Sequence, residues 1–509
     1  MESPVGRALL RLTGVALTIV AVVAVVAPRQ VNIAYDLRVV VPALLVFLAL
    51  AWWARVPAAL KNRWVPVVVA AVGGAAAAGI GIASRYDYGW DARVIIEMAR
   101  SMHAGRMLSE TEYDYLSLYP NNIPLLVIDR FGVEVGAALG LAPDAVLIVL
   151  TGVCVAATLY AAHLLVVPVA GRGHALVTQL VIVVLVGVSP WVSVPYTDFY
   201  AMPFIVGGIA LACAAWRRRD WTMRLLWGGL AVSAIAMAYV IKTTPAVVIV
   251  ALVVVAVVRL ADGWTPSRAR SLVPAAISAA VAFVALSTVL TAGAAAATGL
   301  DTSRIDPQVT PPVIWWLANG MNEQVNADGA VQYGTYRRDM VEAIDGRTPA
   351  EMREYARAFI RDRWDERGLL GMLGFYANKT AWNWGDGMFW AWGEGPDSLP
   401  DRVVRQDPVA QAITSVNGLH GRWYPLRANL TQGLWLAVLL VAGLGLLLAP
   451  VRPETLLLAV TVLGIAAFTI AFQGRSRYLF AFVPVIVALA AVSRPAVDVR
   501  RLRQRSRRW

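Results

Sequence analysis

The chain has 509 residues, of which 58% are hydrophobic and only 15% charged, with a formal net charge of +12 and a mean hydropathy of +0.61. Soluble domains carry about a quarter charged residues, so this composition excludes a large soluble enzyme and predicts an all-α polytopic membrane protein. The excess positive charge is heaviest in the C-terminal stretch SRPAVDVRRLRQRSRRW, which beside a last apolar run reads as an anchor on anionic lipid, with no nucleic-acid role.

About twenty apolar residues are needed to span the hydrocarbon core. The first such run, 8–28, has no small-residue cleavage site behind it and is expected to stay as a helix. Further runs follow at 39–55, 64–84, 145–168, 175–192, 200–216, 222–240, 243–259, 272–295, 430–449, 455–472 and 479–493, which makes about twelve transmembrane helices. The basic connectors ARVPAALKNR, WRRRDWTMR, RLADGWTPSRAR and the C-terminal tail all fall on one side of that count. The positive-inside rule makes that side cytoplasmic, with both termini there. The outer loop RQVNIAYDLR, with two arginines of its own, agrees less well.

Between the third and fourth runs lies SRYDYGWDARVIIEMARSMHAG, an outer cluster of acids, aromatics and arginines. The segment IPLLVIDRFGVEVGAALG (123–140) carries Asp129, Arg130 and Glu134. Counting it as a span would put WRRRDW outside, so it is expected to be an interfacial or re-entrant helix. The late segment 297–429 is rich in acids, arginines, Trp, Tyr and Gly and reads as a mixed outer domain. Within it, Thr348, Pro349 and Glu351 form a capping box, and Met352, Tyr355, Ala356, Phe359, Ile360 and Trp364 recur at helical spacing, which predicts an amphipathic helix over 348–368. WNWGDGMFWAWGEG (382–395) is expected to be a glycine-punctuated loop. The division is then 1–84 membrane helices, 85–144 first outer loop, 145–296 bundle, 297–429 outer domain, 430–493 last helices and 494–509 basic cytoplasmic tail.

All the polar clusters face one side in this topology, as a site at the mouth of a bundle would. Asp91 and Asp87 are candidate general bases for an attacking hydroxyl, although Asp91, just before ARVIIEMARSM, is on spacing alone an equally good helix N-cap. Lys242 in YVIKTTP, and Arg475 and Arg477 in GRSRY, are candidate phosphate ligands; a lysine at a membrane edge also simply snorkels. Asp198 in PYTDFYAMP holds a cation or a sugar hydroxyl, or caps the next helix. In YPNNIP, Tyr119, Asn121 and Asn122 offer a sugar contact or make an ordinary turn. Asn319, Asn322 and Glu323, with Trp384 and Asp386, form a carbohydrate-facing set, while Trp is equally at home in an interface belt. Cys154 and Cys213 sit in apolar runs as small hydrophobes, the histidines make no zinc pattern, and no Gly-rich phosphate loop supports a soluble nucleotide enzyme.

WDARVIIEMARSMHAGRML resembles the first outer loop of bacterial GT-C glycosyltransferases, membrane enzymes of the mannosyltransferase and aminoarabinose-transferase kind that use lipid-phosphate sugars. GRSRYLFAFVP is similar to that family's late Arg-Tyr segment with a following proline, here Arg477, Tyr478 and Pro484. The resemblance implies that Asp91 is the catalytic aspartate. Ala92 replaces the family's second acid, which makes Asp87 a substitute partner and bears on whether a divalent cation (Mg or Mn) is used. It implies a bacterial cytoplasmic-membrane enzyme with its site on the extracytoplasmic face. Its partners would be a polyprenyl-phosphate-linked sugar, a glycan, lipid or protein acceptor, and the bilayer. A twelve-span transporter or flippase of a lipid-linked sugar is the alternative, but ionisable residues avoid the span centres and no half-repeat is visible. A non-catalytic assembly partner is a third reading.

Overall fold

The structure is a computed structural model that describes residues 3–29, 31, 33–53, 56–86, 88–261, 266–326, 329–393, 405 and 407–494. Asp87 and nearly all of the basic tail, both singled out above, lie outside the described residues. The first three apolar runs form α1 (Pro4–Val26), α2 (Leu37–Trp53) and α3 (Val65–Ala83). The polar segment after them folds into α4 (Trp90–His103), α5 (Glu110–Leu118) and α6 (Ile123–Leu139). Next come α7 (Pro143–Ile182), α8 (Thr197–Arg217), α9 (Trp221–Ile241), α10 (Ala246–Ala261) and α11 (Pro266–Thr298).

The late segment holds α12 (Val313–Asn319), a small antiparallel hairpin of β1 (Glu323–Val325) and β2 (Val331–Tyr333) with Gln324 opposite Gln332, then α13 (Arg338–Glu342), α14 (Pro349–Trp384) and α15 (Pro408–Asn417). The chain ends in α16 (Tyr424–Leu448), α17 (Pro453–Ala471), α18 (Arg477–Phe480) and α19 (Val483–Ser493). Among the described residues, eight helices are long and apolar enough to cross a membrane, and α2, α10 and α19 are shorter apolar companions.

α7 is two helices in one. Gly171, at φ 84 and ψ 169, breaks it. On α3, Gly81 lies against both Ile148 and Val192, and Gly73 against both Leu159 and Val183. Residues 148 and 192 therefore share one level and 159 and 183 another, so the chain doubles back at Gly171. Small residues make this packing possible: a Cβ on Gly74 would come within 2.5 Å of the Gly152 carbonyl, and one on Gly14 of α1 within 2.7 Å of the Gly443 carbonyl on α16. Lipid tails are as apolar as leucine, so such close backbone contact replaces the hydrophobic drive that packs soluble helices.

The two ends of the bundle differ. At one end Arg172 donates to the Lys61 carbonyl (3.2 Å), Arg452 to the Val169 carbonyl (3.5 Å) and Arg217 pairs with Glu454 (3.4 Å), so several basic connectors gather there. At the other end the first loop, the 189–197 turn and the late segment interlock. Ser84 Oγ meets Ser193 Oγ (2.7 Å), Trp191 Nε1 donates to the Phe389 carbonyl (2.9 Å) and Arg304 pairs with Glu110 (2.6 Å).

The late segment departs from expectation in two places. The helix expected over 348–368 does carry the capping box on Thr348 and buries Met352 and Ala356 in a satellite core with Trp315 and Met340. It passes through a break at Gly368 (φ 60) and continues to Trp384. Trp364, expected on the buried stripe, is 41% exposed. The 382–395 loop accordingly starts three residues late, because burial of Trp382 and Trp384 at 1% exposure holds them in the last helical turn. Lys379 on that extension is fully buried. Its ammonium donates to the carbonyls of Ile470 (2.9 Å) and Phe472 (2.7 Å) at the C-terminus of α17 and of Gly320 (2.7 Å) at the end of α12, tying the two helix ends together.

Candidate functional site

α4 begins abruptly. Gly89 is its N-cap without a side-chain hydrogen bond, and Trp90 follows at φ 51. A bulky side chain in the left-handed region costs about 1–3 kcal/mol and persists only where its surroundings enforce it. Here the Trp90 ring is set edge-on to Tyr196 (4.5 Å between centroids) and lies under the Arg477 guanidinium (4.5 Å).

Asp91 is the next residue, inside the first turn. It does not cap the helix. Tyr115 Oη of α5 donates to its Oδ1 (2.8 Å), and Tyr196 Oη, just before α8, donates to its Oδ2 (3.3 Å). Asn122 in turn donates to Tyr115 Oη (2.7 Å), so the short turn Pro120–Asn122 serves the carboxylate through a relay. Burial, and then the charge of Asp91, pushes the phenols of Tyr115 and Tyr196 well above their usual range. Both therefore stay protonated and act as donors.

The cations arrive from the middle and the far end of the sequence. Arg477, on the single turn α18, is 8% exposed, and besides Trp90 its guanidinium faces the rings of Tyr196 (5.2 Å), Trp191 (5.9 Å) and Tyr478 (5.9 Å). Aromatic faces stabilise a desolvated cation by about 2 kcal/mol each, which offsets part of the several kcal/mol that its burial costs. Lys242, at the end of α9, pairs with Asp198 of α8 (3.1 Å) and lies over the Tyr478 ring (5.3 Å). Asp91, Asp198, Lys242 and Arg477 thus meet around Tyr196 and Tyr478, with carboxylates and cations in equal number.

Other expected residues sit elsewhere. Arg475 lies over Trp390 (5.1 Å). Tyr119 is close to the Asp91 cluster, with its ring 5.2 Å from that of Tyr115 and its hydroxyl bonded to Tyr336, whereas Asn121 is exposed and donates to Asn122 Oδ1 (3.3 Å).

The residues expected as a carbohydrate-facing set are engaged by protein partners. Asn322 is fully buried, donating to Asn319 O (2.5 Å) and Thr335 O (2.6 Å), and Glu323 pairs with Arg367 (2.9 Å) at the hairpin. Trp384 Nε1 donates to Thr469 Oγ1 (3.2 Å). Asp386, at 0% exposure, accepts from Tyr35 Oη (2.5 Å), Ser476 Oγ (2.6 Å), Trp390 N (2.7 Å) and Met388 N (3.0 Å). A carboxylate with four protein donors has no lone pair left for a sugar.

For a divalent cation the donor set is poor. No group of three or more Asp, Glu, His or Cys side chains converges among the described residues, and both oxygens of Asp91 are held by phenols. Sequence reasoning missed Trp90, Tyr115, Tyr196 and Trp191. Each reads as an ordinary interface aromatic until packing brings it to Asp91 or Arg477.

The family model described as conserved hypothetical integral membrane protein matches residues 16–497, and the chain belongs to that family. No curated protein and no solved structure matches it.

Proposed function

We propose that this multi-pass integral membrane protein is an inverting glycosyltransferase of GT-C type at the extracytoplasmic face of a bacterial cytoplasmic membrane. It moves a sugar from a polyprenyl-phosphate donor to a cell-envelope acceptor. The observation that carries the reading is the meeting of Asp91, Lys242 and Arg477, residues from the start, middle and end of the chain, around Tyr196 and Tyr478.

The chemistry needs a base on one side and cations on the other. Asp91 takes the proton of the acceptor hydroxyl as its oxygen attacks the anomeric carbon, a role worth about 10²–10⁴ in rate. The bond from that carbon to the phosphate oxygen breaks in the same step, so configuration inverts. Polyprenyl phosphate leaves with its electron pair, and Lys242 and Arg477 stabilise the charge that develops on it. Asp198 holds Lys242 in place until the donor phosphate takes over as its counter-ion. Tyr115 and Tyr196 orient the Asp91 carboxylate.

The test is transfer from a polyprenyl-phosphate sugar by the purified full-length protein. Asp91→Asn is expected to abolish transfer with donor binding and thermal unfolding unchanged. Wild-type turnover in that variant removes Asp91 from the mechanism.

A further inference from the structure

From the last turn of α17 to the start of α18 the chain forms a strap that ends at Arg477, and the late segment holds it almost residue by residue. Trp384 Nε1 donates to Thr469 Oγ1 (3.2 Å), Lys379 Nζ to the carbonyls of Ile470 (2.9 Å) and Phe472 (2.7 Å), and Asn319 Nδ2 to Gln473 Oε1 (2.5 Å). In the other direction Gln473 N donates to the Trp316 carbonyl (3.3 Å), Gly474 N to the Gly334 carbonyl (2.9 Å) and Ser476 Oγ to Asp386 (2.6 Å). The approach is close: at Gly334, with φ 64, a Cβ would come within 2.6 Å of Lys379 Nζ.

Lys379 is the costly member of this set. It is fully buried, its third hydrogen bond goes to the Gly320 carbonyl (2.7 Å), and no carboxylate pairs with it among the described residues. An ammonium buried without a counter-ion is expensive, and an unbranched apolar side chain in its place would avoid that cost. An apolar side chain could not, however, draw carbonyls from two separate segments to one point. Three N–H donors on a single atom do so. The charge therefore serves geometry.

What the strap delivers is the Arg477 turn. α18 has only four residues, too few to fix its own position. Its far end is held by Phe480, 1% exposed, against the rings of Phe199 (5.2 Å) and Phe389 (5.7 Å). Its near end, which carries Arg477, follows directly on the strap. We propose, on the reading of Arg477 as a donor-phosphate ligand, that Lys379 is a positioning residue: by holding the strap it sets where that guanidinium stands.

The experiment uses the purified full-length protein, with a polyprenyl phosphate as the binding probe. Lys379→Met is expected to weaken binding of that lipid about tenfold. In an Arg477→Gln background the same substitution is expected to cost no more than about twofold, because a residue that acts through Arg477 then has nothing left to position. Hydrogen exchange reads the strap with no lipid phosphate present: amides 472–480 are expected to exchange about tenfold faster in Lys379→Met, with those of α4 and α5 unchanged. Gln473→Ala keeps the ammonium and removes one tie of the strap; a loss of lipid binding of about threefold is expected, and this variant serves if Lys379→Met does not fold. Equal losses in the wild-type and Arg477→Gln backgrounds, or unchanged exchange at 472–480, overturn the proposal alone and leave Lys379 a merely structural residue. Full lipid binding by Arg477→Gln overturns it together with the donor reading of that arginine. None of these measurements requires transfer, so they stand apart from the test of Asp91.

Discussion

Two aspartates at the same end of the bundle, Asp91 and Asp386, share a motif and differ in fate. Each accepts a tyrosine hydroxyl, and each lies near the turn that carries Arg475 and Arg477. Asp386 is fully buried, and two of its four donors are backbone N–H groups that cannot rotate away. Asp91 is half-buried, its donors among the described residues are the side-chain hydroxyls of Tyr115 and Tyr196, and the Arg477 cation stands over the neighbouring Trp90 ring. The lesson concerns donor type. A carboxylate saturated by backbone fixes a fold, whereas one held by phenols keeps a lone pair that a substrate proton can reach.

The sharpest way to break this comparison is to neutralise both acids in turn. Asp91→Asn is expected to cut transfer by about 10³-fold, within the range for a general base, with little change in unfolding temperature. Asp386→Ala is expected to do the opposite first, destabilising the protein by about 3 kcal/mol or more through four stranded buried donors, read as an early thermal transition in detergent. Equal thermal shifts in the two variants would dissolve the distinction.

Smaller effects refine it. Lys242→Ala is expected to weaken donor binding by about tenfold to a hundredfold, because Asp198 is then left as an unpaired buried charge; unchanged donor affinity returns Lys242 to a merely snorkelling role. Tyr115→Phe is expected to cost about 1 kcal/mol, read as a several-fold loss in kcat with KM for the donor unchanged. The phenol is raised in the folded protein relative to its free value of 10.0. Its donor hydrogen bond is therefore complete below pH 10 and is lost only as pH rises through the higher folded value. Transfer by the wild type should accordingly show no loss from this group up to about pH 10.

Much of the helical framework was legible in the sequence. Runs such as 64–84 and 430–449 are apolar over a membrane's thickness, and the separate runs 145–168 and 175–192 correspond to the two parts of α7 on either side of its break at Gly171. The site was legible only in fragments. Asp91 could be read as a cap or as a base, and nothing local distinguishes them. The structure shows that its carboxylate is held by Tyr115 and Tyr196, 24 and 105 residues away in the chain, instead of capping the helix. Trp384 and Asp386 had the composition of a sugar-binding loop, yet their neighbours Thr469 and Ser476 use up their polar atoms.

What the sequence determined by itself is that this chain enters a membrane many times as helices. Helix formation and transfer into lipid depend on about twenty consecutive residues and their own backbone bonds. What the tertiary structure alone decided is which buried charge meets which partner. That depends on close contact between helices far apart in sequence, where a shift of a few ångströms changes which donors a carboxylate meets.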